Sequence, residues 1–262
     1  MPDETPSSQS RVMSQNQECN IIPFPTQPDP NDSDDKEIEE FSRAVANGLR
    51  APLRHVRYFA ELLQKKAFLQ LNETDRRYLA MLSREASRIA EGIDALRAFS
   101  RVGCTEMQKS PVALRRVVVE LVAERRAELA HRQIDWIIGE LPTVIADRAL
   151  LRQALANLLA NATKFTHNRK IALIEIGCLP KHPAETVIFV KDNGVGFEPK
   201  YAHKLFGIFE RLHSIEEFEG VGIGLAVVRR IISRHGGRTW AEGTTDAGAT
   251  FYFSIPDPTL SP

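Results

Sequence analysis

The chain has 262 residues, enough for one large domain or two small ones with hydrophobic cores. Its 34 basic and 34 acidic residues cancel, so composition offers no overall attraction to nucleic acid or to an anionic membrane. The cysteines Cys19, Cys104 and Cys178 lack metal-binding spacing and fit reduced thiols. Without a bilayer-length apolar run or a signal-peptide profile, we expect a cytoplasmic protein with no membrane insertion and no nucleic-acid binding.

Residues 1–36 are rich in Ser, Gln, Pro, Asn and Asp, and only the segment CNIIPFP adds apolar content. Such a composition buries too little surface to offset the entropy cost of ordering the chain. We therefore predict a disordered tail. CNIIPFP is either a docking peptide or, as we favour, a few apolar residues within that tail.

Residues 37–104 have the pattern of two helices joined by a short turn. Apolar residues recur at alternating spacings of four and three, typical of a coiled-coil seam: Val45, Leu49, Pro52, Val56, Phe59 and Leu63, then Leu79, Leu82, Ala86, Ile89, Ile93 and Leu96. The turn offers Asn72 or Thr74 as a helix cap. Because a lone helical hairpin has too small a core, we predict that it pairs with another as a dimeric four-helix bundle.

Residues 105–258 change character, with a boundary near 101–111. Periodicity predicts helices over residues 112–131, 148–166 and 224–237, and strands over residues 133–139, 143–148, 170–179, 186–194, 238–244 and 248–256. These elements do not alternate as regular βαβ units. The chain is therefore predicted to be an α+β protein, with a helical hairpin followed by a two-layer α/β sandwich.

Three polar side chains share one face of the helix predicted over residues 148–166. Asn157, Asn161 and Lys164 are spaced i, i+4 and i+7 among Ala and Leu. Amide oxygens suit Mg²⁺ and an ammonium suits phosphate oxygens, so the trio fits a metal–phosphate group. A solvated polar stripe explains the spacing equally well.

A Gly-rich turn, VKDNGVGF, ends an apolar strand and contains Asp192, Gly194 and Gly196. The carboxylate can accept hydrogen bonds from an exocyclic amine, and the glycines let a flat ligand approach the backbone. Asp-Asn-Gly is also ordinary turn chemistry, so this motif is only moderately specific.

A second Gly-rich segment, EGVGIGLAVVRR, leads directly into a helix through Gly220, Gly222, Gly224 and Leu225. Free backbone N–H groups and the helix dipole favour an anion such as phosphate there. No strand precedes the segment and no Gly-Lys-Ser/Thr follows, so it is neither a Rossmann fingerprint nor a P-loop. Most Gly-rich turns are structural, and spacing alone leaves that alternative open.

The order of these motifs is more specific than any one of them. An Asn-rich helix, Asp-x-Gly-x-Gly, Phe206 and Phe209, and then Gly-x-Gly-x-Gly resemble the N, G1, F and G2 boxes of sensor histidine kinases. The resemblance covers nearly all of residues 37–256 and is nearest to the phytochrome-type kinases. It implies the ATP-binding fold shared with the gyrase, Hsp90 and MutL ATPases, and it implies binding of ATP with Mg²⁺.

The resemblance also implies roles for individual residues. Asp192 binds the adenine amino group beside Gly194 and Gly196, with Thr250 supporting the pocket. Asn161 resembles the Mg²⁺ ligand. Asn157 lines the same site one turn earlier on the helix, and Lys164 and Arg211 meet the phosphates. The Gly-rich segment wraps the triphosphate with Gly220, Gly222, Gly224 and Leu225. Residues 198–219 resemble the mobile ATP lid.

Residues 37–104 resemble the family's dimerisation and phosphotransfer domain but depart from its motif. Asn47 stands where the phosphoacceptor histidine is expected, and Gly48 where its acidic neighbour is expected. An amide nitrogen is delocalised and is no nucleophile, so Asn47 cannot attack a γ-phosphate. His55 is rotated about 100° from that helix face. Ala51 offers no polar group for phosphatase chemistry, whereas Pro52 keeps the helix bendable.

Three functions remain to be weighed. The first is a histidine-kinase-like signalling protein that binds ATP, cannot phosphorylate itself, and phosphorylates a partner kinase in trans. The second is a pseudokinase scaffold that binds a kinase or a response regulator. For either function we expect a homodimer, or a heterodimer with another histidine kinase, formed through residues 37–104. The third, plain ATP hydrolysis, is disfavoured because Asn157 stands where related ATPases carry a glutamate, and an amide cannot act as general base.

Overall fold

The computed structural model describes residues 49, 52–66, 71–104, 106–180, 184–214 and 217–257. Helix α1 covers residues 52–66, and α2 runs over Glu73–Cys104. The Asn72 side chain accepts a hydrogen bond from the Asp75 backbone N–H at 2.8 Å, which confirms Asn72 as the cap of α2. The predicted tail lies outside the described residues.

The strands form two sheets. β1 (Lys109–Ala113) pairs with β3 (Thr143–Asp147) in an antiparallel ribbon. The larger sheet has the order β2-β4-β5-β7-β6, with strands β2 (Ile134–Ile138), β4 (Ala172–Cys178), β5 (Glu185–Asp192), β6 (Thr239–Thr244) and β7 (Gly248–Pro256). Its β2–β4 pair is parallel and the other pairs are antiparallel.

Three helices pack with the large sheet: α3 (Leu114–Glu128), α4 (Arg148–Phe165) and α5 (Gly224–Arg234). A short 3-10 helix, Pro199–Lys204, lies between β5 and α5. The core forms between helices and strands, where Leu155, Ile174, Ile231 and Phe253 are fully buried. This arrangement confirms the expected helical region followed by a two-layer α/β sandwich.

Strand β1 was not predicted, and the helix expected from residue 112 begins at Leu114 instead. β1 is five residues long and contains Pro111, which cannot donate to a ladder and therefore suits an edge strand. Only its pairing with β3 identifies it. The pairing is non-local, so periodicity within the segment does not reveal it.

Helix α5 ends as the Gly pair predicts. Gly236 has φ of 81°, the left-handed conformation that closes many helices. A side chain on Gly237 would place its Cβ 1.8 Å from the carbonyl oxygen of Ser254. The first glycine therefore supplies the turn and the second lets β7 approach.

His235, at the end of α5, is a buried tie between elements distant in sequence. Its Nε2 accepts a hydrogen bond from the Asp147 backbone N–H at 2.9 Å, and its Nδ1 lies 2.7 Å from the Ile231 carbonyl oxygen. The ring is therefore neutral with its proton on Nδ1. Asp147 in turn caps α4 by accepting from the N–H groups of Ala149 and Leu150.

The second half of α2 packs against α5. Leu96, Phe99 and Val102 belong to the same hydrophobic cluster as the sandwich, and the Arg230 guanidinium lies 4.7 Å from the centre of the Phe99 ring. Gly92 lies so close to Val221 that an added Cβ would be 3.1 Å from Val221 Cγ1. The helical region and the sandwich thus share an interface.

The described members of the predicted seam differ in burial. Ala86, Ile93 and Leu96 are buried within the chain, and Leu79 is half-buried. The exposed members are Leu49, Pro52, Val56, Phe59, Leu63, Leu82 and Ile89. Phe59 and Ile89 keep 58% and 50% of their surface exposed. Helices α1 and α2 therefore present apolar side chains that this chain does not itself cover.

Candidate nucleotide-binding site

A cavity open to solvent lies among α4, the end of β5, the segment 198–219 and the start of α5. It is lined by eight residues that the sequence singled out: Asn161, Lys164, Asp192, Gly196, Arg211, Gly220, Gly222 and Leu225. Motifs separated by up to about sixty residues in sequence thus meet in one pocket.

The polar face of α4 meets the Gly-rich segment directly. The Asn157 side-chain amide donates to the carbonyl oxygen of Gly224 at 3.2 Å, so Asn157 braces the start of α5. One turn further, Asn161 lines the cavity. The three polar residues are therefore half-buried, with Asn161 and Lys164 lining the cavity and Asn157 at its edge, and they do not form a fully solvated stripe.

Lys164 reaches the described part of the segment 198–219. Its Nζ donates to the carbonyl oxygen of Glu219 at 3.1 Å and lies 4.4 Å from the centre of the Phe165 ring. Burial, and then the charge of Arg211, lowers the pKa of Lys164. Two cations held this close together attract an anion strongly.

Arg211 points toward the same backbone. It donates to the carbonyl oxygens of Phe218 at 2.6 Å and Ser214 at 3.3 Å, and also to that of Gly220. Both cations expected to meet phosphate thus hold neutral carbonyl groups of residues 214–220, and a phosphate oxygen would be the stronger acceptor for each.

Asp192 is 3% exposed at the end of β5. Its Oδ1 accepts from the Gly194 backbone N–H at 2.8 Å. Burial raises the pKa of the Asp192 carboxyl to about 6, against the lowering effects of hydrogen bonds from Gly194 and Ala249 and of the Arg169 charge. A buried carboxylate lining a cavity is suited to bind an amine donor.

Gly196 is required by its surroundings. Its φ is 62°, and a Cβ there would lie 1.9 Å from the carbonyl oxygen of Thr244. The glycine lets the turn after Asp192 pass directly over the end of β6, which closes this side of the pocket. Any side chain at this position would displace the turn.

The two phenylalanines of the F-box resemblance have different environments. Phe206 is buried, with its ring centre 6.5 Å from that of Phe251. Phe209 is exposed and has φ of 63°, an unusual conformation for a residue with a side chain. Only Phe206 therefore anchors its segment to the core.

Thr250 does not line the cavity; its neighbours Ala249 and Phe251 do. Side chains alternate along a strand, so Thr250 faces the outer surface of the sheet. There it hydrogen-bonds Tyr252, whose ring stacks on Trp240 at 5.2 Å between centres. Thr250 is therefore not one of the residues that line the cavity, and the supporting role that the resemblance implies for it stays a prediction.

An aromatic wall of the pocket was missed from the sequence. The rings of Phe165, His213 and Phe218 have centres 4.9–5.4 Å apart. His213 Nε2 also lies 2.9 Å from the carbonyl oxygen of Gly196, which ties the segment 198–219 to the turn after Asp192. Phe165 directly follows Lys164, a clue that the spacing of polar residues did not capture.

Asn47 and Gly48, the positions that the resemblance aligns with the phosphoacceptor and its acidic neighbour, lie outside the described residues together with Ala51. Pro52 and His55 lie in α1, and His55 is exposed. Within the described ranges, no group of three or more His, Cys, Asp or Glu residues could hold a metal ion. Among the described helices, none combines the length and apolar character needed to cross a bilayer.

Two family models match the chain. Residues 37–104 match the His Kinase A (phospho-acceptor) domain. Residues 146–259 match the histidine kinase-, DNA gyrase B- and HSP90-like ATPase. The first match contains α1 and α2, and the second contains the residues that line the cavity.

Individual relatives agree with these matches. The chain is 30% identical over 224 residues to cyanobacterial phytochrome B of Nostoc sp. (strain PCC 7120), covering 85% of this chain and 30% of that protein. It is 34% identical over 223 residues to the methanogenesis regulatory histidine kinase FilI of Methanothrix harundinacea, covering 85% and 25%. The chain therefore spans less than a third of either relative.

A solved structure of full-length ShkA in complex with AMPPNP superposes with a TM-score of 0.58 at 27% identity. The superposition covers 83% of this chain and 46% of ShkA. Both domain matches, the relatives and the fold agree, and the chain belongs to the sensor histidine kinase family with a GHKL-type ATP-binding domain.

Proposed function

We propose that the chain is a two-component signalling protein that binds ATP with Mg²⁺ but cannot phosphorylate itself, and that it phosphorylates a histidine of a partner kinase in trans. The observation that carries the proposal is one cavity lined by Asp192, Lys164 and Asn161 in a chain whose acceptor position holds Asn47.

Each part of ATP has a suitable group in the cavity. The Asp192 carboxylate accepts from the adenine amino group, and the aromatic wall covers the base. Lys164 and Arg211 exchange the carbonyl oxygens they now hold for phosphate oxygens. The N–H groups of the Gly-rich segment at the start of α5 face the triphosphate.

The residues present fit Mg²⁺ bound together with ATP. Mg²⁺ is usually held by one or two protein ligands, with substrate phosphates and water completing its coordination. Asn161 lines the cavity on the α4 face that also carries Lys164, so its amide oxygen is the proposed ligand. When bound, Mg²⁺ would neutralise charge on the phosphates.

Transfer to a partner needs no nucleophile in this chain. A partner imidazole nitrogen attacks the γ-phosphorus, the bond to the β–γ bridging oxygen breaks, and ADP leaves. Asn47 cannot make this attack. The uncovered apolar side chains of α1 and α2, such as Phe59 and Ile89, support pairing with another histidine kinase hairpin or with a second copy.

A scaffold function is the second candidate. It is favoured by the contact between Gly92 of α2 and Val221 of the Gly-rich segment, because nucleotide binding would then be sensed by the helical region. In this candidate ATP is a conformational ligand, and the chain binds a kinase or a response regulator without transferring phosphate.

Labelled ATP separates the two candidates. The protein is incubated alone and with a partner kinase whose own ATP site is disabled. Label on the partner is expected for transfer in trans, and no label on any partner would favour the scaffold. Label on this chain alone would contradict the argument from Asn47.

Restoring the acceptor box tests whether the ATP half is otherwise competent. Asn47→His with Gly48→Asp is expected to produce measurable self-phosphorylation, because it supplies both nucleophile and acidic neighbour. Asn47→Gln with Gly48→Asp is the matched control and stays unlabelled. A double variant that binds ATP but remains inert would show that more than the acceptor has been lost.

A further inference from the structure

Arg169, just beyond the end of α4, holds the turn that follows Asp192. Its Nε donates to the carbonyl oxygen of Asn193 at 2.7 Å, and its Nη2 donates to that of Gly194 at 2.9 Å. Nη2 also donates to the carbonyl oxygen of Asp246, in the β6–β7 turn, at 2.7 Å. A planar guanidinium can hold several acceptors in one fixed geometry, which an ammonium cannot.

The same turn is held from other sides. The Asp246 backbone N–H donates to the carbonyl oxygen of Val195 at 2.7 Å, so Arg169 and Asp246 close a ring of hydrogen bonds around residues 193–195. The Asn193 side chain bonds the backbone of Ile171 and Leu173 at the start of β4. The turn is thereby fixed relative to two strands.

The orientation of Asp192 depends on this turn. Gly194 donates its N–H to Asp192 Oδ1 and accepts from Arg169 at its carbonyl oxygen. Rotation of the 193–194 and 194–195 peptide units would move that N–H away from the carboxylate, and the Arg169 hydrogen bonds oppose such rotation. Arg169 does not line the cavity itself, so its effect on a ligand passes through Asp192.

We propose that Arg169 is a positioning residue that orients Asp192 toward the 6-amino group of the adenine base and thereby sets base selectivity. The inference rests on the ATP binding proposed above. It assigns the selectivity of the site partly to a residue that touches no ligand.

Two nucleotides isolate the effect. ATP carries the 6-amino group, whereas purine riboside triphosphate lacks only that group and keeps the same sugar and phosphates. Arg169→Met is expected to weaken ATP binding about tenfold and binding of the purine analogue less than twofold. Affinities are measured by displacement of a fluorescent ATP analogue from the full chain, with thermal unfolding as a check of folding.

The pH profile supplies a second readout. The Arg169 charge lowers the pKa of Asp192, against burial, which raises it to about 6. Without Arg169, Asp192 binds its proton at higher pH, so the loss of ATP affinity on acidification begins at higher pH. The other titratable groups lining the cavity are unchanged in the variant: Lys164, Glu210, Arg211 and His213.

Two further variants complete the experiment. Arg169→Lys keeps the positive charge but loses the fixed set of N–H donors of the guanidinium. We therefore expect this variant to restore the pH midpoint of ATP binding and to restore base selectivity only in part. It also takes the place of Arg169→Met if that variant does not fold. Arg115→Met is the matched control, because Arg115 donates to the carbonyl oxygens of Ile138 and Gly139 at the end of β2, away from the cavity. It is expected to leave the ratio of the two affinities unchanged.

The outcomes are separable. Equal weakening of both nucleotides with an unmoved pH midpoint would make Arg169 merely structural and overturn the inference. No change in either affinity would overturn it as well. Wild-type protein that binds neither nucleotide would overturn the proposed function together with this inference, whereas normal wild-type binding with an unaltered ratio in Arg169→Met overturns the inference alone.

Discussion

The ATP-binding half and the helical region differ in how much of the family pattern they keep. The first brings Asn161, Lys164 and Asp192 into one cavity, whereas the second carries Asn47 and Gly48 where the family resemblance leads us to expect the nucleophile and the base. The apolar side chains of the helices are nevertheless retained. Under the proposed function, the two exchanges remove the acceptor and leave these apolar side chains in place, so nucleotide binding would be separable from phosphate acceptance.

The largest effect is expected from a side chain added to the turn after Asp192, because a pocket that tolerated it would remove the contrast between the ATP-binding half and the helical region. Gly196→Ala is expected to weaken ATP binding more than about a hundredfold, because φ is positive and the added Cβ meets the Thr244 carbonyl. Gly139→Ala is the control, since its Cβ would lie 3.5 Å from the nearest atom. Displacement of a fluorescent ATP analogue measures both, and near-normal affinity of Gly196→Ala would contradict the pocket's geometry.

A smaller effect is expected from the chemistry of Asp192 alone. Asp192→Asn should weaken ATP binding about 10- to 100-fold, the loss of one charged hydrogen bond of roughly 1.5–3 kcal/mol. Asp135→Asn, on the exposed side of β2, is the control. Isothermal titration calorimetry measures both variants. Equal affinities for Asp192→Asn and wild type would remove the adenine role from this carboxylate.

The proposed pairing surface of the helical region is tested by measuring association between chains. Phe59→Glu with Ile89→Glu should weaken self-association or pairing about tenfold or more, since charge replaces two exposed apolar side chains at the proposed interface. ATP affinity should stay unchanged. Analytical ultracentrifugation reads the association, with Arg84→Glu on the exposed surface of α2 as control. Unaltered association of the double variant would place the interface elsewhere.

The smallest expected effect is a pH dependence of folding stability within the ATP half. Burial lowers the pKa of His235 from its ordinary 6.5, so below that pH the unfolded chain binds a proton that the folded chain does not. Stability is therefore lost as pH falls, by at most about 1.4 kcal/mol per pH unit. Urea unfolding at pH 7 and pH 5.5 measures it.

The matched comparison for His235 uses two Asn variants. His235→Asn should cost about 1–3 kcal/mol at pH 7 and less at pH 5.5, because the wild type itself weakens in acid. His131→Asn, at an exposed position, should cost little at either pH. Contributions from Asp192 are common to all three proteins and cancel in the differences. A cost for His235→Asn that does not change with pH would contradict the neutral, buried ring.

Local patterns explain what the sequence could predict. The three polar positions on α4, the Asn72 cap and the Gly pair after α5 each depend on residues within a few positions of one another, and all appear in the structure. The sandwich was also predictable, because periodicity identifies most of its elements and the motif order resembles a known family.

Non-local contacts explain what was missed. Arg169 bonds backbone carbonyl groups 24 and 77 residues away, and any residue type can present such a carbonyl, so no sequence signature marks its partners. The His235–Asp147 bond likewise uses a backbone N–H. The position of Thr250 outside the cavity lining has another reason: the burial of Phe251, Phe253 and Ile255 fixes the inward parity of β7, and Thr250 lies on the opposite face.

The contact between Gly92 and Val221 makes α2 and the nucleotide segment mechanical neighbours. Val221 lies between Gly220 and Gly222, the glycines that line the cavity. With no side chain on Gly92 to act as a spacer, a shift of that segment by a few tenths of an ångström must be matched by α2 or must open a gap between them. The rim of the pocket therefore lies directly against the helix that carries the uncovered apolar residues.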